Sequence, residues 1–179
     1  KMLEGFATSE GTTNFARKSL AHNENYRKIH DLTLSNVGIG TYLGNSDLET
    51  DIQQKNAIKQ SISHGVNVID TAINYRAQKS ERTVGKAVSE LIEEGQINRS
   101  EIFISTKNGY VTNDADIQED FMAYVMREFG KTGIVKEGDI SAQYNCITIP
   151  FLEDQLARSQ KNLGLDCIDL MYLHNAVEG

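Results

Sequence analysis

The sequence predicts an α/β fold with a parallel sheet, because short apolar strands alternate with amphipathic helices along most of the chain. We predict strands at residues 37–40, 67–69, 102–106 and 167–173. The segments between them are long enough to hold crossover helices, which join parallel strands with a right-handed turn. A short hairpin is predicted before the first strand, at residues 26–34, where polar and apolar side chains alternate.

Three helices account for the connections between the strands. At residues 48–64 and 80–94 the apolar side chains follow the helical period, and a glycine comes after each helix. Pro150 is suitably placed to open the third helix, at residues 151–162. Each helix has a single apolar stripe, which is typical of helices packed on the outside of a sheet.

Two segments interrupt this alternation. Residues 1–25 are polar and weakly patterned, so we expect an extension that is loosely ordered or lies across the body of the protein. Residues 108–150 form a long connection, within which Asp116 is predicted to cap a helix at residues 116–129. Loops of this length are usually functional or disordered. Two interpretations are open for it: the wall of a pocket, or a surface insertion or subunit contact.

Composition and charge argue against several classes of protein. A net charge of -7, with no basic run, argues against a nucleic-acid surface. No stretch approaches the ~20 apolar residues that span a bilayer, and the first residues lack the apolar core of a signal peptide. Cys146 and Cys167 have no ligand-like spacing to the histidines. We therefore predict a cytoplasmic protein with no metal site and with neither nucleic acid nor membrane as a partner.

Each predicted strand is followed by a polar group at the same end of the sheet. In chain order these groups are Gly40-Thr41, Asp70 with Tyr75 five residues later, Lys107, and His174. In parallel α/β proteins the chemistry is carried by the loops at the carboxyl ends of the strands. The pattern therefore predicts that these side chains converge on one mouth.

Taken singly, each of these residues has an ordinary structural explanation. Asp70 could cap a helix or form a turn, and Tyr75 could be a half-buried aromatic residue. Lys107 could extend its charge to solvent from an apolar stem, and His174 could be a hydrogen-bonded core histidine. Their placement together, at consecutive strand ends, favours a catalytic site.

Three stretches of the chain resemble the aldo-keto reductase family. Residues 65–75, GVNVIDTAINY, are similar to the family's signature around its catalytic tyrosine. Residues 104–107, ISTK, resemble its lysine strand, and residues 162–175, NLGLDCIDLMYLHN, resemble its histidine strand. The Gly40-Thr41 pair after an N-terminal hairpin matches the end of its first strand.

The resemblance implies a (β/α)₈ barrel of the TIM type and the reduction of an aldehyde or ketone to an alcohol. NADP(H) is the implied cofactor and NAD(H) the alternative. A barrel of this type takes about 250 residues, and the sequence predicts four of its eight strands. We therefore expect residues 26–179 to be the N-terminal half of the barrel, with the other half on a longer polypeptide or a second chain. The isolated chain is expected to be inactive.

Carbonyl reduction produces an alkoxide that needs a proton donor. A free tyrosine has a pKa near ~10, and a neighbouring cation lowers the pKa of such an acid. This chemistry and the resemblance together assign Tyr75 as general acid, Lys107 as its electrostatic partner and Asp70 as the anchor of the lysine. His174 would orient the carbonyl oxygen or assist proton transfer.

The resemblance also implies binding residues on the strand ends. The predicted cofactor-binding residues are Gly40, Thr41, Tyr42 and Asp70, and the predicted substrate-binding residues are His174 and Asn175.

The chain departs from the family pattern after the tyrosine, where Arg76 stands at a position that is often glycine. The family's Ser-Glu pair is retained as Ser80-Glu81, which indicates a longer loop. A non-catalytic regulatory or scaffold module of the same fold is the alternative function. The presence of all four candidate catalytic side chains argues against it.

Overall fold

In the computed structural model, which describes residues 2–19 and 21–176, four parallel strands form one sheet and an antiparallel hairpin stands apart from it. The hairpin is β1 (Tyr26–Ile29) and β2 (Leu32–Ser35), and the sheet has the order β3 (Ile39–Gly40), β4 (Val68–Asp70), β5 (Phe103–Asn108) and β6 (Leu170–Leu173). In the described part of the chain the sheet is open and does not close into a barrel. The predicted hairpin and parallel strands are confirmed, with shifted boundaries.

Three helices connect the strands of the sheet in the predicted order, and they are α2 (Leu48–Ser63), α3 (Lys79–Glu93) and α5 (Ile149–Leu163). Before the hairpin lies α1 (Ser9–Lys18), a helix that was not predicted. Between β5 and α5 lies α4 (Phe121–Val125), which continues as a π-helical turn (Met126–Gly130). α5 has proline in its first turn, as predicted, and Gly164 ends it in the left-handed conformation (φ 66°). Among the described residues, none of these helices has the length and apolar character needed to cross a membrane.

The main core lies between the sheet and helices α2, α3 and α5. Its fully buried side chains come from the apolar stripes of the helices and from the strands, and they include Ile58, Ile69, Val84, Leu91, Ile104 and Leu163. α3 and α5 approach closely at Gly85, where an added Cβ would lie 2.4 Å from the carbonyl oxygen of Leu163. A side chain at this position would separate the two helices.

The hydrogen bonds of Asn67 explain why this polar residue immediately precedes the central strand β4. Its side chain is fully buried, and its Oδ1 accepts a hydrogen bond from the backbone N–H of Ser35 at 2.8 Å. Its Nδ2 donates to the carbonyl oxygen of Thr33 at 3.0 Å. Asn67 therefore attaches the hairpin to the base of the sheet, on the side opposite the strand ends that carry the candidate site.

The N-terminal segment is more ordered than the sequence suggests. Thr8 caps α1 by accepting a hydrogen bond from the backbone N–H of Gly11, and Phe15 is buried in the main core. The backbone N–H of Leu3 donates to the carbonyl oxygen of Gly164 at 2.7 Å. Of the two expectations for this segment, its described residues fit the second, in which it lies across the body of the protein, because a few apolar anchors and backbone hydrogen bonds hold a mostly polar stretch.

The predicted helix at residues 116–129 begins later than expected. Asp120 is its N-cap, because its side chain accepts hydrogen bonds from the backbone N–H groups of Met122 and Ala123. Asp116 instead forms ion pairs with Lys79 and Arg82 of α3. The prediction of Asp116 as the cap is therefore wrong, since tertiary ion pairs compete for this carboxylate.

We predict that Gly85→Ala destabilises the chain by about 1–3 kcal/mol, because the new methyl group would overlap the backbone of α5. Alanine in a helix is otherwise favoured over glycine by ~1 kcal/mol. The expected loss of stability therefore comes from the close approach of α5. Urea unfolding monitored by circular dichroism measures the change. Lys86→Ala, at the exposed neighbouring position of α3, is the matched control and should leave the midpoint almost unchanged.

Candidate active site

An open depression lies at the carboxyl ends of strands β4, β5 and β6. Its lining residues are Asp70, Tyr75, Lys107, Tyr172, Leu173, His174 and Asn175. The structure thus brings the four predicted catalytic side chains to one place, although 104 positions separate the first from the last. The parallel register produces this convergence, because it pairs Asp70 with Ser105 and Lys107 with Tyr172.

The ammonium group of Lys107 is fixed by two hydrogen bonds at the end of β4. Its Nζ lies 2.5 Å from Oδ2 of Asp70 and 2.8 Å from the carbonyl oxygen of Thr71. The other carboxylate oxygen, Oδ1, accepts a hydrogen bond from the hydroxyl group of Ser105 at 2.7 Å. Both carboxylate oxygens therefore have a donor, which holds the ion pair in one orientation.

The ring of Tyr75 lies directly beneath this ammonium group. The Nζ of Lys107 is 4.8 Å from the ring centre, a cation–π distance. Two further rings pack edge-on against Tyr75, those of Tyr42 at 5.0 Å and His174 at 5.7 Å between ring centres. The phenol is therefore held between a cation, an aromatic ring and an imidazole.

His174 is held through its backbone and through its ring. Its backbone N–H donates to the carbonyl oxygen of Asn108, and its carbonyl oxygen accepts from Nδ2 of Asn145 at 2.7 Å. Its ring Nδ1 lies 3.1 Å from Oδ1 of Asn74, and the ring of Tyr110 packs edge-on at 4.9 Å. The end of β5, the long connection at residues 108–150 and the residue before Tyr75 together determine where this imidazole lies.

The predicted cofactor-binding residues at the end of β3 differ in their exposure to solvent. Gly40 is exposed, and Tyr42 is 66% exposed beside the ring of Tyr75. Thr41 is buried, and its hydroxyl group donates to the hydroxyl oxygen of Thr71 at 2.8 Å. Thr41 stays a predicted cofactor-binding residue, and its hydroxyl group turns inward and supports the end of β4.

Asn175, predicted to bind substrate, is exposed at the rim of the depression. Its Nδ2 lies 3.4 Å from the hydroxyl oxygen of Tyr110, and its backbone is left-handed with φ 49°. It thus connects the end of β6 to the long connection at residues 108–150.

Three residues that contact His174 are not predicted from the sequence, namely Asn74, Tyr110 and Asn145. Asn74 lies inside the tyrosine stretch, directly before Tyr75, so its position was an available signal. Tyr110 and Asn145 lie near the two ends of the long connection, where they face each other in an antiparallel bridge. No local pattern connects residues so far apart in the chain.

The loop after Tyr75 contains three successive residues in the left-handed conformation. Arg76, Ala77 and Gln78 have φ values of 52°, 49° and 74°. Glycine adopts positive φ without a steric penalty, so this backbone would suit the glycine that the resemblance leads us to expect at the position of Arg76.

The Arg76 side chain offsets the strain of this loop. Its guanidinium group is almost fully buried and donates to the carbonyl oxygens of Asn45 and Asp47 and to the side chains of Asp51 and Gln54. The loop that carries Tyr75 is thereby tied to the start of α2.

The retained Ser80-Glu81 pair joins α3 to the strand ends. The hydroxyl group of Ser80 donates to the carbonyl oxygen of Thr41 at 2.8 Å. Glu81 is fully buried and accepts hydrogen bonds from Thr106 at 2.7 Å and Asn162 at 2.9 Å. Burial raises the pKa of the Glu81 carboxyl group, because it disfavours the charged form. Ser80 and Glu81 thus have supporting roles beneath the site.

Comparison with protein families defines the class of this α/β protein. A model described as the Aldo/keto reductase family matches residues 36–178. The chain belongs to the aldo/keto reductase family, and its parallel sheet with outer helices is part of that family's α/β fold of the TIM-barrel type.

Curated relatives are similar over most of this chain. It is 27% identical over 168 residues to the uncharacterized oxidoreductase YtbE of Bacillus subtilis, which covers 94% of this chain and 43% of that protein. It is 29% identical over 152 residues to the NADH-specific methylglyoxal reductase of Escherichia coli, which covers 80% of this chain and 39% of that protein. The chain therefore spans less than half the length of these relatives.

Solved structures support the same assignment. Aldo-keto reductase AKR2E5 of the silkworm Bombyx mori, complexed with NADPH, has a TM-score of 0.51 at 27% identity and covers 83% of this chain and 35% of its own. The holo form of AKR11C1 from Bacillus halodurans has a TM-score of 0.56 at 20% identity. The match covers 86% of this chain and 43% of that protein. The second likeness shows the fold alone.

We predict that Ala77→Gly stabilises the chain by about 1 kcal/mol, because it relieves the left-handed strain at φ 49°. The same substitution at Ala57, exposed within α2, should destabilise by about 1 kcal/mol and serves as the control. Thermal and urea unfolding measure both variants. Destabilisation by both would contradict the strained loop.

Proposed function

We propose that this chain carries the proton-transfer side of an NAD(P)H-dependent reductase that converts aldehydes or ketones to alcohols. The observation that carries the proposal is the depression in which Tyr75 lies between Lys107 and His174, with Asp70 holding the lysine. Membership of the aldo/keto reductase family and an NADPH-bound neighbour support it. The methylglyoxal reductase relative supports a small carbonyl compound as substrate and leaves NADH and NADPH as alternatives.

The residues of the depression suit the delivery of a proton to a substrate oxygen. Tyr75 would donate its phenolic proton as negative charge develops on that oxygen. Lys107 stabilises the phenolate that remains, because its ammonium group lies 4.8 Å from the ring and is partly shielded from water. Asp70 and the Thr71 carbonyl oxygen accept hydrogen bonds from two of the three ammonium protons, which keeps the charge over the ring.

The exposed strand ends suit the nicotinamide end of the cofactor. A Cβ built on Gly40 would meet nothing within 4 Å, so the backbone at this strand end is open to close approach. When bound, the reduced nicotinamide would supply the hydride to the carbonyl carbon. Gly40, Asp70 and the exposed ring of Tyr42 are the residues that would hold it.

The phosphate end of the cofactor has no comparable site among the described residues that line the depression. Lys107 is the one cation there, and it is already paired with Asp70. We propose that further βα units, on the same polypeptide or a second chain, complete the barrel and supply the phosphate contacts, as phosphate sites in such barrels come from the last two units. The open sheet and the limited share of its relatives that the chain spans support this proposal.

We predict that Tyr75→Phe lowers kcat by about 10²–10⁴-fold in the completed barrel, because the general acid is removed while the ring is kept. The measurement is NADPH oxidation with a panel of small aldehydes and ketones. Tyr144→Phe is the matched control, since Tyr144 is exposed and packs on Phe121 outside the depression. Equal rates for Tyr75→Phe and the unmodified protein would refute the assignment.

We predict that the isolated 179-residue chain neither turns over carbonyl compounds nor binds NADPH with micromolar affinity, because the described residues that line the depression form no phosphate site. Isothermal titration calorimetry on the isolated chain and on the completed barrel tests this. A dissociation constant near ~1 μM for the isolated chain would contradict the prediction. Cofactor binding by the completed barrel without turnover of any carbonyl would favour a non-catalytic module.

A further inference from the structure

The end of β6 is held by two different parts of the chain. The backbone N–H of His174 donates to the carbonyl oxygen of Asn108, at the end of β5, at 2.9 Å. The carbonyl oxygen of His174 accepts a hydrogen bond from Nδ2 of Asn145 at 2.7 Å. A carbonyl oxygen can only accept, so the amide nitrogen of Asn145 is the atom that faces it. The long connection at residues 108–150 thus supplies a hydrogen bond to the backbone of His174.

Asn145 is itself fixed within the long connection, where it is only 7% exposed. Its backbone N–H donates to Oγ of Ser141 at 3.1 Å, and its carbonyl oxygen accepts from the backbone N–H of Ser141 at 2.8 Å. The next residue, Cys146, is buried, and its backbone N–H donates to the carbonyl oxygen of Gly109 at 2.7 Å. The side chain of Asn145 therefore extends from a hydrogen-bonded turn.

Residues in the left-handed conformation stand beside both partners of this hydrogen bond. Tyr144, directly before Asn145, has φ 60°, and Asn175, directly after His174, has φ 49°. The cost is larger for Tyr144, since asparagine adopts this conformation more readily. Such strain persists only where the surrounding structure holds it, and it is concentrated at functional sites. The two segments are thus held in one geometry where the hydrogen bond joins them.

We propose that Asn145 is a positioning residue for carbonyl reduction, which fixes the end of β6 so that the imidazole of His174 stays beside Tyr75. The effect on catalysis rests on the proposed reductase function. The ring centres of His174 and Tyr75 lie 5.7 Å apart. A misplacement of about 1 Å at a reacting group can lower a rate about 10²-fold, so a hydrogen bond that fixes the histidine backbone has a measurable consequence.

The contacts within the depression make the expected effect selective for His174. Lys107 donates to Oδ2 of Asp70 and to the carbonyl oxygen of Thr71, and both partners come from the end of β4. Asn145 instead bonds to His174 and to its own turn. Removal of the Asn145 side chain should therefore displace the imidazole and leave the cation beside the phenol.

Hydrogen exchange of the backbone amides in the 179-residue chain, followed by NMR, tests the contact. Asn145→Ala is expected to accelerate exchange at the His174 amide about fivefold or more, the factor that one hydrogen bond is worth. The Ile104 amide, which donates to Asp169 at 2.8 Å, should keep its rate. Equal acceleration of the two amides, or none at His174, would overturn the proposal.

Asn113→Ala is the matched control, because it truncates the same type of side chain in the same long connection. Asn113 accepts hydrogen bonds through its backbone carbonyl oxygen, which alanine retains. This variant is expected to leave exchange at the His174 amide unchanged. Acceleration as large as that of Asn145→Ala would show a general loosening of the connection and contradict a specific role for Asn145.

Kinetics of the completed barrel test whether Asn145 acts through His174. Asn145→Ala is expected to lower kcat about tenfold with a change in KM below about threefold. In a His174→Ala background the same substitution is expected to lower kcat by less than about twofold, because residues that act as a unit are not additive. Tenfold losses in both backgrounds would overturn the positioning role.

The reductase function and the role of Asn145 are refuted by different results. Accelerated exchange at His174 together with a full rate for Tyr75→Phe would refute the reductase function and leave the Asn145–His174 contact established. An inactive Tyr75→Phe together with a full rate for Asn145→Ala would refute the role of Asn145 alone.

Discussion

The ion pair between Lys107 and Asp70 is the interaction on which the candidate site depends. Parallel pairing of β4 and β5 sets Asp70 opposite Ser105, so Lys107, two residues further along β5, extends past the end of β4. From there its Nζ reaches back to Oδ2 of Asp70 and lies over the ring of Tyr75. Because Asp70 is 39% exposed, the pair adds little stability, and its consequence is positional.

A second constraint acts from the other side of Tyr75. The left-handed turn at residues 76–78 costs conformational energy, of the order of 1–2 kcal/mol for each residue that is not glycine. The buried guanidinium group of Arg76 offsets this cost with hydrogen bonds to the segment that begins α2. Tyr75 is thus fixed between a strand end and a strained turn, which suits a group that must meet a substrate without reorganising.

Periodicity and strand-end polarity were sufficient to predict the parallel sheet, its helices and the convergence of Asp70, Tyr75, Lys107 and His174. These features depend on local patterns that repeat along the chain. The wrong helix cap lies where tertiary contacts decide, because the Asp116 carboxylate forms ion pairs with Lys79 and Arg82 of α3. The contacts of His174 with residues of the insertion were missed for the same reason, since no short-range pattern encodes a hydrogen bond across tens of residues.

The insertion between β5 and α5 has a core of its own, and this bears on how His174 is held. Its buried apolar side chains pack with one another and against Phe151 at the start of α5, and they are Val111, Tyr124, Val125, Phe129, Val135 and Cys146. A segment with such a core is fixed more firmly than a bare loop of equal length. Tyr110 and Asn145 lie near the two ends of the insertion and contact His174. An ordered insertion therefore helps to hold His174 in place. A change in the insertion core would therefore alter the position of His174 while leaving the Asp70–Lys107 pair in place, so the two halves of the site are held by separate parts of the chain.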